Sequence, residues 1–79
     1  MTLTYNHIVY PEGDIQEIPH LLRINQIVDL NGYPLSPPLP TVKMIAYRVY
    51  KKRTEEARGE VHTLYYLELL NRNELIQYL

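Results

Sequence analysis

The chain has 79 residues, is 46% hydrophobic, carries a net charge of −1 and contains no cysteine. That length fits one domain with no room for a second core, and the apolar content excludes a disordered polar segment. Without thiols there is no disulfide framework, zinc finger or zinc ribbon, and the near-neutral charge gives no general pull toward nucleic acid or anionic lipid.

Met1–His7 has neither the basic start nor the apolar run of a secretory signal, and no window approaches the 18 apolar residues of a membrane span. A soluble, cytoplasmic protein is expected. A first strand is expected from Thr4 to Tyr10. It ends at Tyr10-Pro11-Glu12-Gly13, which has proline second and glycine fourth, as a type I turn favours. Asp14 and Glu17 have capping-box spacing, but Pro19 removes an amide and clashes with the preceding turn, so at most one helical turn is expected there.

Ile27–Leu35 has Asn31-Gly32 at its centre, the pair suited to a type I′ hairpin turn. That turn pairs Leu30 with Tyr33 and Val28 with Leu35, leaving Pro34 on an edge. Pro34–Pro40 is too rich in proline for a helix or central strand and reads as an extended crossover rather than a PxxP ligand. Val42–Arg53 and Glu60–Leu70 then read as two long strands around a polar tip, Thr54–Gly59. Ile45, Tyr47 and Val49 match Tyr65, Leu67 and Leu69 as one apolar face if 47 pairs with 67. The rival is a single helix from Thr54 to Leu70, which Gly59, Val61, Thr63 and the Tyr65-Tyr66 pair oppose. Asn71 with Glu74 marks a short C-terminal helix, with Leu75, Ile76 and Leu79 on one face. The expected fold is therefore one domain over residues 1–79. It is mainly β, a small barrel-like or meander sheet of about five strands with a short C-terminal helix, and an α+β arrangement is the fallback.

Catalytic signals are weak. Ser36 lies between Leu35 and Pro37 with no nucleophile elbow, and the three glycines sit in separate turns rather than in a phosphate loop. Glu60 and His62, near Glu55 and Glu56, read as exposed groups at a hairpin tip, and His7 and His20 as surface or boundary residues. No catalytic, cofactor-binding or metal-ligating residue is assigned. What stands out is the outward face of the long hairpin, where the 47–67 pairing places Met44, Arg48, Tyr50, Lys52, His62, Leu64 and Tyr66, with Arg48 opposite Tyr66 for a cation–π contact. This is more apolar surface than a solvated sheet face normally shows. Its cover is the chain's own N-terminal half, a second copy or another partner.

Small domains without disulfides or metals often lean on a partner subunit. The leading expectation is thus a non-enzymatic binding module that uses this face for protein–protein interaction or self-association as a homodimer. The alternative is single-stranded nucleic-acid binding, with Tyr50 and Tyr66 stacking on bases and Arg48, Lys51, Lys52 and Arg53 meeting phosphates. A small enzyme or ligand-binding barrel would instead need Glu60, His62 and Glu68 gathered in a concave pocket. No membrane partner is expected.

Overall fold

The computed structural model describes residues 2–79. Five strands form one mixed sheet curved into a half-barrel, and a short helix ends the chain. In chain order these are β1 (Leu3–Val9), β2 (Ile15–Ile18), β3 (Ile27–Val28), β4 (Tyr47–Ala57), β5 (Glu60–Leu69) and α1 (Arg72–Ile76). The spatial order is β2-β1-β5-β4-β3, and only β1 and β5 run parallel. The mainly β expectation holds, and the fallback is not needed.

The first turn closes as its sequence dictates, with the Gly13 N–H donating to the Tyr10 carbonyl at 2.9 Å. Beyond it the chain forms a strand rather than a helical turn. Residues 15–18 pair antiparallel with β1, from Val9 opposite Ile15 to Asn6 opposite Ile18. A tight turn delivers this segment directly beside β1, so ladder hydrogen bonds satisfy its backbone and Ile18 reaches the core, which one helical turn ending at Pro19 would not achieve.

The Asn31-Gly32 hairpin closes one residue away from the expected register. Val28 bridges Pro34, and the Asp29 N–H donates to the Tyr33 carbonyl at 2.9 Å, leaving a three-residue loop. The Asp29 carboxylate accepts the amides of Asn31 (2.8 Å) and Tyr33 (3.0 Å), which favours a type I turn ending in a left-handed residue over the type I′ form. That residue is Gly32, at φ +85°, and it lies directly on the core. Its carbonyl accepts a 2.7 Å hydrogen bond from His20 Nε2. The two successive positive φ angles of a type I′ turn occur instead at Arg58 (+48°) and Gly59 (+82°), which join β4 to β5.

The long hairpin replaces the rival helix, and its strands extend further toward the tip than expected. Tyr47 pairs with Leu69 and Val49 with Leu67, a shift of two residues that keeps Tyr47, Val49, Tyr65 and Leu67 on the inner face, whereas Ile45 and Leu69, expected beside them, lie at the margin and are exposed. The core cluster on this inner face contains Ile8, Ile18, Leu22, Val28, Tyr47, Val49, Tyr65 and Leu67, with Tyr10 packed edge-on against Tyr47. The turn at Gly32 presses into it.

A second cluster of Ile27, Ala46, Leu70, Leu39 and Leu75 lies across the sheet at the hairpin's base, because Ile27 sits opposite Arg48 and Ala46 continues that alternation. The proline-rich crossover and α1 supply its cover, with the Leu39 N–H donating to the Tyr78 carbonyl at 2.6 Å. The helix starts with a complete capping box: Glu74 N–H to Asn71 Oδ1 at 2.9 Å and Asn71 N–H to Glu74 Oε1 at 3.1 Å. Leu75 docks, whereas Ile76 and Leu79, expected beside it, are exposed. A helix of five residues turns only part of its circumference inward.

Candidate interaction face

Strand alternation and the pairing register define the outer sheet face beyond the second cluster. On β1 it carries Tyr5, His7 and Val9, because the buried Ile8 commits the intervening positions to the inner face. Parallel pairing sets Tyr5 opposite His62, His7 opposite Leu64 and Val9 opposite Tyr66. β2 adds Ile15, opposite Val9. The N-terminal half therefore widens this face with β1 and β2 and covers the inner one.

On β4 a bulge decides which charges reach the face. Val49 pairs with Leu67 and Lys51 with Tyr66, so Tyr50 is an extra residue. A bulge inverts the alternation beyond it. Lys51, Arg53 and Glu55 thus share the face of Tyr66, Leu64 and His62, while Lys52, expected on this face, turns to the other side, opposite Tyr65. Met44 is also not displayed, since it packs half-buried against the second cluster.

The expected contact of Arg48 with Tyr66 is replaced. Arg48 lies opposite Glu68 and donates to Glu68 Oε1 from Nε, at 2.7 Å, and from Nη2. The cation over Tyr66 is Lys51, whose Nζ is 5.2 Å from the ring centroid. Tyr50 leans toward Tyr66, with centroids 6.4 Å apart and planes at 57°. His62, Leu64, Tyr50 and Tyr66 do come together on one surface, bordered by Arg48.

A polar chain not anticipated from the sequence crosses the same face. His62 Nε2 lies 2.9 Å from Glu60 Oε1, and His62 Nδ1 lies 2.9 Å from His7 Nε2. An ionised carboxylate only accepts, so His62 carries a proton on Nε2; with that ring neutral, its Nδ1 accepts and His7 Nε2 is the donor. The two imidazoles are within 17° of parallel, and Tyr5 stacks on His62 at 4.9 Å and 14°. Alternation along β5 sets Glu60 beside His62, and parallel β1–β5 pairing brings Tyr5 and His7 to them. The sequence signals are that alternation and the alternation of Tyr5, His7 and Val9 against Ile8.

His7, Ile15, Glu55, His62 and Leu64 line a shallow open depression of about 260 Å³. A larger one, about 400 Å³, lies at the hairpin tip between Thr2 and residues 56–61. Glu68 does not join Glu60 and His62: it is eight positions up the same strand from Glu60, about 26 Å at roughly 3.3 Å per residue, and is held by Arg48. Among the described residues no three His, Asp or Glu side chains converge as metal ligands would. No helix among them is long and apolar enough to cross a membrane.

No curated protein and no solved structure matches the chain. A family model described as an uncharacterised Treponema protein matches residues 2–78, and the chain belongs to that family.

Proposed function

We propose that this chain is a non-enzymatic binding module that docks another protein on its outer sheet face. The observation that carries the reading is the one-sided cover of the sheet. The crossover and α1 protect the outer face only at its base; among the described residues no further helix or strand packs on the sheet past Arg48 and Glu68, where Tyr50 and Ile15 are exposed and Val9, Leu64 and Tyr66 half-buried. Tyr50 is 48% exposed and Ile15 61%. Tyrosines grouped with aliphatic side chains and rimmed by charges are the usual make-up of a protein-binding surface. A shallow depression on a sheet suits contact with a protein surface better than enclosure of a small substrate.

The bulge weighs against single-stranded nucleic acid. It sends Lys52 to the other face and lays Lys51 over Tyr66, while Arg48 is bound to Glu68 and Arg53 to Glu55 (3.3 Å). Few cations remain to meet phosphates along the tyrosines.

The test is affinity capture from the native host with immobilised wild type, Tyr66→Asp and a control, Glu12→Ala, on the exposed first turn. A protein retained by wild type and Glu12→Ala but lost with Tyr66→Asp is the expected result. Equal capture by Tyr66→Asp overturns the reading. So does anisotropy showing wild type bound to mixed-sequence single strands at about 50 mM salt, where phosphate contacts are strongest, without any captured protein.

A further inference from the structure

Most of β4 has no neighbour on its outward edge. β3 pairs only with Tyr47 and Arg48, and residues 25 and 26 take the next backbone groups: the Asn25 N–H donates to the Val49 carbonyl (2.7 Å) and the Val49 N–H to the Gln26 carbonyl (3.0 Å). From Tyr50 to Ala57 every residue is exposed, and among the described residues no strand pairs with this edge. Residues 51–57 thus present about 23 Å of open ladder, a ready template for another strand.

The charges along that edge have a specific order. Lys51-Lys52-Arg53 precede Thr54, and Glu55-Glu56-Ala57 come after it. We propose that two copies of this chain pair β4 to β4, antiparallel about Thr54, into one continuous ten-stranded sheet. In that register Lys52 faces the partner's Glu56, Thr54 meets the partner's Thr54, and Arg53 faces the partner's Glu55, so that the exposed pair it makes with its own Glu55 becomes half of an alternating four-charge cluster. Directly opposed residues share a face, so the four opposite-charge pairs are divided two to each side, with a threonine pair at the centre.

Symmetry fixes the register. A two-fold axis perpendicular to the sheet keeps each face on its own side, so alternative centres differ by whole residues. Moving the centre to residue 53 sets Arg53 against the partner's Arg53, and moving it to 55 sets Glu55 against the partner's Glu55. Of the centres from 51 to 56, only Thr54 has no like charges on the axis, and a centre at Ala57 would run the pairing into the Arg58-Gly59 turn. The lengths also agree, because Lys51 then lies opposite the partner's Ala57: pairing ends at the bulge on one side and at the Arg58-Gly59 turn on the other. The two cores lie at opposite ends of the joined arms. Both tyrosine-bearing outer faces lie on the same side.

This pairing uses a different surface from the proposed docking face, and one experiment separates the two. Sedimentation velocity is run over a wide concentration range on wild type, Arg53→Glu, Glu55→Arg, their equimolar mixture and Tyr66→Asp. Arg53 and Glu55 are more than half exposed, so circular dichroism and melting should match wild type. Wild type is expected to dimerise, more weakly as salt rises. Each charge reversal alone should weaken the dimer by at least about tenfold, since like charges then face each other. The mixture should recover it, because Glu at 53 in one variant then meets Glu55→Arg's new cation in the other. Tyr66→Asp should dimerise as wild type does. A wild type that stays monomeric up to about 1 mM, charge reversals without effect, or a mixture that fails to assemble each overturns the pairing. Loss of the dimer in Tyr66→Asp but not in the charge reversals overturns it too, and assigns self-association to the outer face.

Discussion

Gly32→Ala is the substitution to which this fold should be most sensitive for its size. Gly32 has φ +85°, and a Cβ built there falls 2.8 Å from Ile8 Cδ1 and 3.3 Å from Ile18 Cγ2. A methyl end normally yields to such an approach, but Ile8 is fully buried and Ile18 nearly so, and close-packed interiors leave little space to move into. Left-handed backbone costs an alanine about 1–2 kcal/mol, and overpacking a filled core adds about 1–3 kcal/mol, so a loss of about 2–5 kcal/mol is expected. A chain of 79 residues has of the order of 4–12 kcal/mol in total at typical stabilities per residue. Gly13→Ala is the matched control, because Gly13 also has positive φ (+102°) yet nothing lies within 4 Å of its Cβ position. It should lose only the backbone cost. Equilibrium urea unfolding measures both, and at about 1 kcal/mol per molar the Gly32→Ala midpoint should fall by about 2 M or more. Equal losses for the two variants would refute the placement of the Asn31-Gly32 turn against Ile8.

The cap, the buried tyrosines and the histidine pair each give a further expected outcome. Asn71→Ala removes the side-chain half of the capping box and should cost about 1 kcal/mol in urea unfolding, with the loss traced to α1 by faster amide exchange at Leu75. Burial pushes the Tyr47 and Tyr10 hydroxyls above the ordinary tyrosine value, with Tyr47, Asp29 and Glu12 adding to the effect on Tyr10. A raised value in the folded state means that the unfolded chain loses its proton first, so stability is full below about pH 10 and falls as pH rises through the folded-state values; melting curves of wild type and Tyr47→Phe should diverge there, with the variant less affected. Nitrogen-15 NMR of the imidazoles at neutral pH should show His62 and His7 both protonated on Nε2, and Glu60→Gln should relax that preference at His62.

Local chemistry was legible wherever neighbouring residues settled it. The Tyr10–Gly13 turn, the hairpin of Tyr47 and Val49 against Leu67, and the Asn71–Glu74 cap all depend on short-range patterns of period or turn type. Competition between two valid local signals was harder to resolve. Asp14 and Glu17 signal a helix start, but proximity to β1 wins, and Asn31-Gly32 favours one hairpin form until the Asp29 carboxylate selects another. Alternation within β4 is legible up to Tyr50. Beyond it one unpaired residue exchanges Lys52 for Lys51 and Arg53, and nothing in the sequence marks that bulge. Glu60 and His62 are neighbours by alternation within β5, whereas Tyr5 and His7 joined them only through a parallel ladder between strands far apart in the chain, which periodicity within either strand does not disclose.

That parallel ladder also constrains how the molecule is made. Tyr5 meets His62, its partner 57 positions later, so the first strand emerges from the ribosome long before the strand that flanks it exists. Closing so long a loop is entropically demanding, and contacts of this separation slow folding. The edge of β1 that faces β5 therefore has no native neighbour until β5 has been synthesised, and the β1–β5 ladder cannot be completed from the N-terminal segment alone.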